Sequence, residues 1–307
     1  NIILNLNAPC AIKDTSWIKP GKVLRDVTLT TKGGKACIDF AKKHNLQYVI
    51  IGAGWYGDEF DDKSDASFVS VDPGRSEGPL DLKEVIAYAN KNDIGILLYV
   101  NRRALEKQLD ELLPLYKKWG VKGIKFGFVQ VGSQRWTSWL HKAIRKAANY
   151  KLMVDVHDEH RPTGYSRTYP NLMTQEGIYG DEQNPLAENS LTILFSRMLA
   201  GAADNTICYF SPEVDRLWNH SYQLAKSIMF YSPWQFLFWY DRPLASPDKG
   251  GAGDVESRIL EVSELEFFNK LPTVWDDTKV LDGKIGKYAA IARKSGDEWY
   301  LGIMTAE

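Results

Sequence analysis

Cysteine is scarce in this 307-residue chain. Cys10, Cys37 and Cys208 are odd in number and share no metal-ligand spacing, so they read as buried or free thiols and do not fix a compartment. Charge of one sign is also missing: 38 basic residues stand against 39 acidic ones, which removes any pointer to a nucleic-acid backbone or an anionic membrane surface. No apolar run is long enough to span a bilayer. The most apolar stretch, "SIMFYSPWQFLFWY" from Ser227 to Tyr240, is short and is broken by Pro233. An initiating Met, a basic leader and a signal-type apolar core are absent as well, and the chain reads as a piece of something longer.

Aromatic residues are plentiful. Ten Trp and 15 Tyr supply flat amphipathic rings that stack on sugars, although such rings also fill cores. Apolar runs at 47–53, 94–100, 123–129 and 151–157 alternate with helical patterns at 33–44, 81–92, 104–119 and 133–149. Strands apolar on both faces belong to a parallel sheet covered by helices. The repeat, sustained to about residue 245, predicts a (β/α)8 TIM barrel over residues 1–246. The Gly-rich "PDKGGAGD" at 247–254 then opens a linker and a partial antiparallel β domain over 247–307, with turns expected at Asp282-Gly283 and Ser295-Gly296.

In a barrel, chemistry gathers in the loops after the strands. Here these include "GWYGDEFDD", "NRRAL", "HDEHRPTG", "TQEGIYGDE" and "ADNTICYF". Gly52-x-Gly54-x-x-Gly57 matches a dinucleotide fingerprint only formally, because Trp55 and Tyr56 sit where the backbone must approach a phosphate. A metal hydrolase with His157 and His160 as zinc ligands lacks the His-x-His pair usual in barrel metalloenzymes. Glu176 and Glu182, taken alone, read as a salt-bridged or solvated pair. Together with Asp158 they offer the two differently charged carboxyl groups that glycoside hydrolysis requires, and oxygen donors suited to a hard ion.

"DTSWIKPGK" (14–22), "IGAGWYG", "GIKFGF", "HDEHRPTGYSRTYPNLMTQEG" (157–177) and "GDE" resemble the catalytic barrel of glycoside hydrolase family 97. The resemblance implies a calcium-dependent α-glucosidase or α-galactosidase, in the periplasm or secreted. It also implies an N-terminal β-sandwich that this chain lacks and a C-terminal domain that continues past it. Glu176 is then a Ca2+ ligand, Glu182 the general acid, and Asp158 both a Ca2+ ligand and the base. His157, Lys125, Trp17 and Asn101 are expected to contact an oligosaccharide or glycoside.

Two departures stand out. Retaining members carry an Asp nucleophile where this chain has Gly127, and inverting members carry a base Glu at about the place of Asn101. The base work therefore falls on Asp158, assisted by Glu159, with inversion of configuration as the expected course. Glu182 is expected to hold its proton because Glu176 and Asp181 are neighbours. The alternatives are a barrel that holds sugars without cleaving them and a zinc-dependent amidohydrolase.

Overall fold

The computed structural model describes residues 2–248 and 257–306. Apart from Pro247 and Asp248, the Gly-rich break lies outside the described residues. Helix α1 (Ile2–Asn5) precedes β1 (Gly21–Asp26), α2 (Thr31–Lys43), β2 (Tyr48–Ile51), α3 (Leu82–Lys91) and β3 (Gly95–Asn101). There follow α4 (Arg102–Trp119), β4 (Gly123–Gly127), α5 (Gln134–Asn149), β5 (Met153–Val156) and β6 (Leu172–Gln175). Three helices, α6 (Ala187–Leu194), α7 (Pro212–Leu217) and α8 (His220–Met229), lead to β7 (Trp234–Leu237).

Local chemistry sets the helix starts. Thr30, Asp81, Asn101 and Ser133 cap α2 to α5 by accepting backbone N–H bonds, and Gly120 closes α4 in the left-handed conformation.

The strands pair in parallel in the order β6-β5-β4-β3-β2-β1-β7, a nearly closed TIM-like barrel. Among the described residues, seven regular strands take part where eight were expected. Residues 203–208 occupy the remaining gap without forming a regular strand. Asp204 N–H donates to Gln175 O, Ile207 N–H donates to Phe236 O, and Ile207 pairs with Leu237 as an isolated parallel bridge. Thr206 stands at φ 51° in the middle of this stretch, which interrupts the ladder.

Alternation along the strands decides which side chains face inward. Leu24, Val49, Leu98, Ile124 and Val154 point outward into the layer shared with the helices, whereas Val23, Tyr48, Leu97, Met153 and Trp234 pack together inside. The interior is apolar where the strands begin and charged where they end: one step of the alternation above this layer stand Arg25, Lys125 and Asp155, and one step further His157, just past β5. Gly123 is required at the apolar end because a Cβ there would lie 2.4 Å from the Trp234 ring.

After the barrel, β8 (Asp241–Pro243) pairs with β9 (Ser257–Ile259), and α9 (Leu265–Lys270) packs Phe268 against Tyr209 and Phe238. The chain ends in an antiparallel sheet of β10 (Asp277–Lys284), β11 (Tyr288–Ser295) and β12 (Glu298–Thr305). Ala289, Ile291 and Met304 seat it on α6 and α8. The turn at Ser295-Gly296 lies where expected. Asp282-Gly283 does not turn: it sits inside β10 beside a bulge, and residues 285–287 make the reversal.

Candidate active site

The strand ends open into a cavity of about 400 Å³. Lys125 from β4, His157 and Asp158 after β5, and Glu182 from the loop after β6 all line it. So do Arg25 from β1, Tyr99 from β3, and Trp239 and Tyr240 after β7.

Beneath this cavity lies a chain of buried charges. Lys125, 1% exposed, pairs with Asp204 and stands 3.2 Å from Asp155. Asp204 Oδ2 lies 3.1 Å from His157 Nδ1, and His157 Nε2 lies 3.0 Å from Glu182 Oε1. Both ring nitrogens thus face a carboxylate oxygen, which suits the doubly protonated imidazolium. Burial and Lys125 push the His157 pKa down, but Asp204, Glu182 and Glu176 outweigh them and raise it well above its ordinary value. For Lys125, burial is likewise outweighed by Asp204 and Asp155, so the ammonium stays charged. Burial, followed by the charge of Asp204, raises the Asp155 pKa above the carboxylate range, with Lys125 and His157 acting against the shift.

Glu182 departs from its expected state. Burial would raise its pKa, but the His157 hydrogen bond and charge, with Lys125 and Arg25, bring it below the usual value. Asp181 does not oppose this, because its carboxylate is turned away into a buried pair with Lys226, where it also accepts from Gln223 Nε2 at 2.7 Å. Trp239 Nε1 donates to Glu182 Oε2 at 3.0 Å, so both oxygens of the carboxylate are oriented.

Asp158 sits at φ 68° and reaches from the end of β5 to accept the Phe128 N–H at the end of β4. Its pKa is raised, chiefly by burial, with His157 acting against the shift. Gly127, the residue before Phe128, leaves no room for a side chain: a Cβ there would lie 2.1 Å from the Tyr99 hydroxyl. The Tyr99 ring fills that space.

Two expected sugar contacts are placed elsewhere. Trp17, in the segment before β1, packs against the inner apolar cluster and is not among the residues lining the cavity. Asn101 is fully buried and spends its side chain capping α4, its Oδ1 accepting Arg103 N–H at 3.0 Å. "NRRAL" is therefore the start of a helix and not an active-site loop. Glu159 is not among the residues lining the cavity. Among the described residues, the two side-chain groups close enough to share a metal are Asp155, His157 and Asp204, and His157, Glu176 and Glu182. Neither contains His160, so the zinc pair is not assembled.

The two expected calcium ligands are not in one side-chain group. Glu176 is buried behind His157, pushed up to about 7 first by burial, and accepts from Gln183 Nε2 at 3.2 Å. Asp158 is not gathered with it. Glu176 and Glu182 supply carboxylate oxygens of the kind calcium takes, and His157 stands between them, 3.5 Å from Glu176 and 3.0 Å from Glu182.

Asp204, Arg25, Tyr99 and Trp239 escaped the sequence analysis. Asp204 and Trp239 lie in segments without a regular motif, whereas an arginine or lysine inside an otherwise apolar strand was a readable signal for a lined interior.

The family model for "Glycoside hydrolase 97" matches residues 17–178, more than half of the chain. This chain belongs to glycoside hydrolase family 97. A second model, "Glycosyl-hydrolase 97 C-terminal, oligomerisation", matches residues 274–307. The chain is 32% identical to a "Retaining alpha-galactosidase" of Bacteroides thetaiotaomicron over 99% of its own length and 47% of that protein. It is 30% identical to a "Probable retaining alpha-galactosidase" of Streptomyces bingchenggensis over 95% of its own length and 44% of that protein. A solved family 97 enzyme from Pseudoalteromonas sp. strain K8, in complex with acarbose, superposes with a TM-score of 0.80 at 26% identity, over 99% of this chain and 53% of that one. The chain thus spans about half the length of the relatives it matches. Both curated relatives are named as retaining, which stands against the inversion expected from the sequence.

Proposed function

We propose that this family 97 barrel hydrolyses α-galactosides with retention of configuration, using Glu182 as acid/base and Asp158 as nucleophile. The carrying observation is the reach of Asp158 to the Phe128 N–H. That bond places a carboxylate at the end of β4, where Gly127 can supply none, in the same cavity as Glu182. The names of the two curated relatives support both the sugar and the stereochemical course.

In the first step an Asp158 oxygen attacks the anomeric carbon and forms a glycosyl ester. The glycosidic C–O bond breaks, its electron pair stays on the leaving oxygen, and a proton comes from the His157–Glu182 pair. The low Glu182 pKa means that this proton rests largely on the imidazole, so the pair titrates as a unit. In the second step water returns a proton to the pair and attacks the same carbon, which frees the Asp158 carboxylate. Lys125 and Asp204 hold His157 in place throughout.

Calcium belongs to this proposal only as an addition. Glu176 and Glu182 would hold the ion, with carbonyl or water oxygens completing its shell, and no step above passes through it. A periplasmic or secreted location is proposed on the family resemblance alone.

Glu182→Gln is the direct test of the acid. It should cut turnover of glycosides with poor leaving groups by about 10²–10⁴-fold while largely sparing aryl glycosides with good ones. Equal loss on both classes would remove Glu182 from this role. Gly127 also favours a second reading, a barrel that binds galactosides without cleaving them. It predicts binding with no product over long incubation.

A further inference from the structure

The cavity is polar at its floor and apolar at its mouth. Two rings stand at the mouth, Phe60 from the loop after β2 and Phe128 after β4. They are 41% and 46% exposed, meet edge to face with centroids 4.8 Å apart, and carry no hydrogen-bonding group. Of the polar groups nearby, three are tied to carboxylates or guanidinium, although one Glu59 oxygen has no partner and Arg103 lies 6.0 Å from the Phe60 ring centroid. Glu59 pairs with Arg75 at 2.5 Å, and Gln183 donates to Glu176. The Phe128 backbone is itself tied to the Asp158 carboxylate, and both residues line the cavity.

A ligand matching this gradient has a hydroxylated ring inside and a flat apolar group outside. A second sugar against the two rings would lose water from its hydroxyls without gaining partners from them. We propose that Phe60 and Phe128 form a leaving-group subsite that selects galactosides with aromatic aglycones over disaccharides. This rests on the reading of the cavity as a galactoside site.

Binding of non-hydrolysable ligands tests the subsite without relying on turnover. Calorimetric titration of the chain with phenyl, methyl and glucosyl 1-thio-α-galactosides should show the phenyl ligand binding about tenfold more tightly than the methyl one, the scale of one good ring contact. It should also bind more tightly than the disaccharide analogue. Phe60→Ala and Phe128→Leu should each bring the phenyl-to-methyl ratio towards one, with circular dichroism confirming the fold. Equal affinities in the unaltered chain, an unchanged ratio in both variants, or preference for the disaccharide would overturn the subsite. Binding of none of the three ligands would overturn the galactoside reading as well.

Discussion

Glu182, His157, Lys125 and Asp158 all line one cavity; the sequence offers Asp158 and Glu182 as carboxylates in loops after strands, and Lys125 and the sugar-contact role of His157 through the family resemblance. Their electrical states were not legible. Counting neighbours along the chain put Asp181 beside Glu182, whereas in space Asp181 turns to Lys226 and His157 arrives from another strand. Asp204 shows the same limit. It lies in an irregular segment, yet it is the anion shared by two buried cations, Lys125 and His157. Asp204→Asn would leave both cations short of a partner. We expect it to lower unfolding free energy by about 3–5 kcal/mol, measured by urea denaturation. A change within about 0.5 kcal/mol, the scale of an ordinary surface substitution, would show that the pairing is dispensable.

The elements with strong periodicity were read to within a residue or two: the pattern at 81–92 became Leu82–Lys91, and that at 133–149 became Gln134–Asn149. Irregular pieces were not. Asp282-Gly283 carries a turn signature but sits at a β-bulge, since pairing with β11 continues through Lys284. Asn101 shows how one residue type serves two chemistries, because the polar side chain that ends a strand here starts a helix. Asn101→Ala should cost about 1 kcal/mol through loss of the cap and leave the KM for an aryl α-galactoside unchanged. A several-fold rise in KM without loss of stability would return Asn101 to the substrate.

Parallel architecture follows from the repeat of apolar strands and amphipathic helices, but the incomplete eighth position does not. Backbone partners for 203–208 are set by neighbours distant in sequence. Buried carboxylates give the whole molecule a pH signature. Burial raises Asp26 to about 6 and Asp241 to about 7. Each binds a proton more tightly folded than unfolded, so stability from these groups is highest below their unfolded pKa near 4 and falls as pH rises towards 6 to 7. Urea midpoints should therefore show this downward contribution between pH 4 and 7, and Asp241→Asn should flatten the upper part of it. An identical slope in Asp241→Asn would show that the carboxyl is ionised in the folded state.

The retention and the role of Asp158 meet in a single measurement: a proton NMR time course of the hydrolysis of an aryl α-galactoside, following the anomeric signal of the first galactose released. The α anomer should appear first, with the β anomer growing only at the rate of mutarotation. The β anomer appearing first would mean direct attack by water and would contradict Asp158 as nucleophile. No released galactose at all would leave a binding barrel in place of an enzyme.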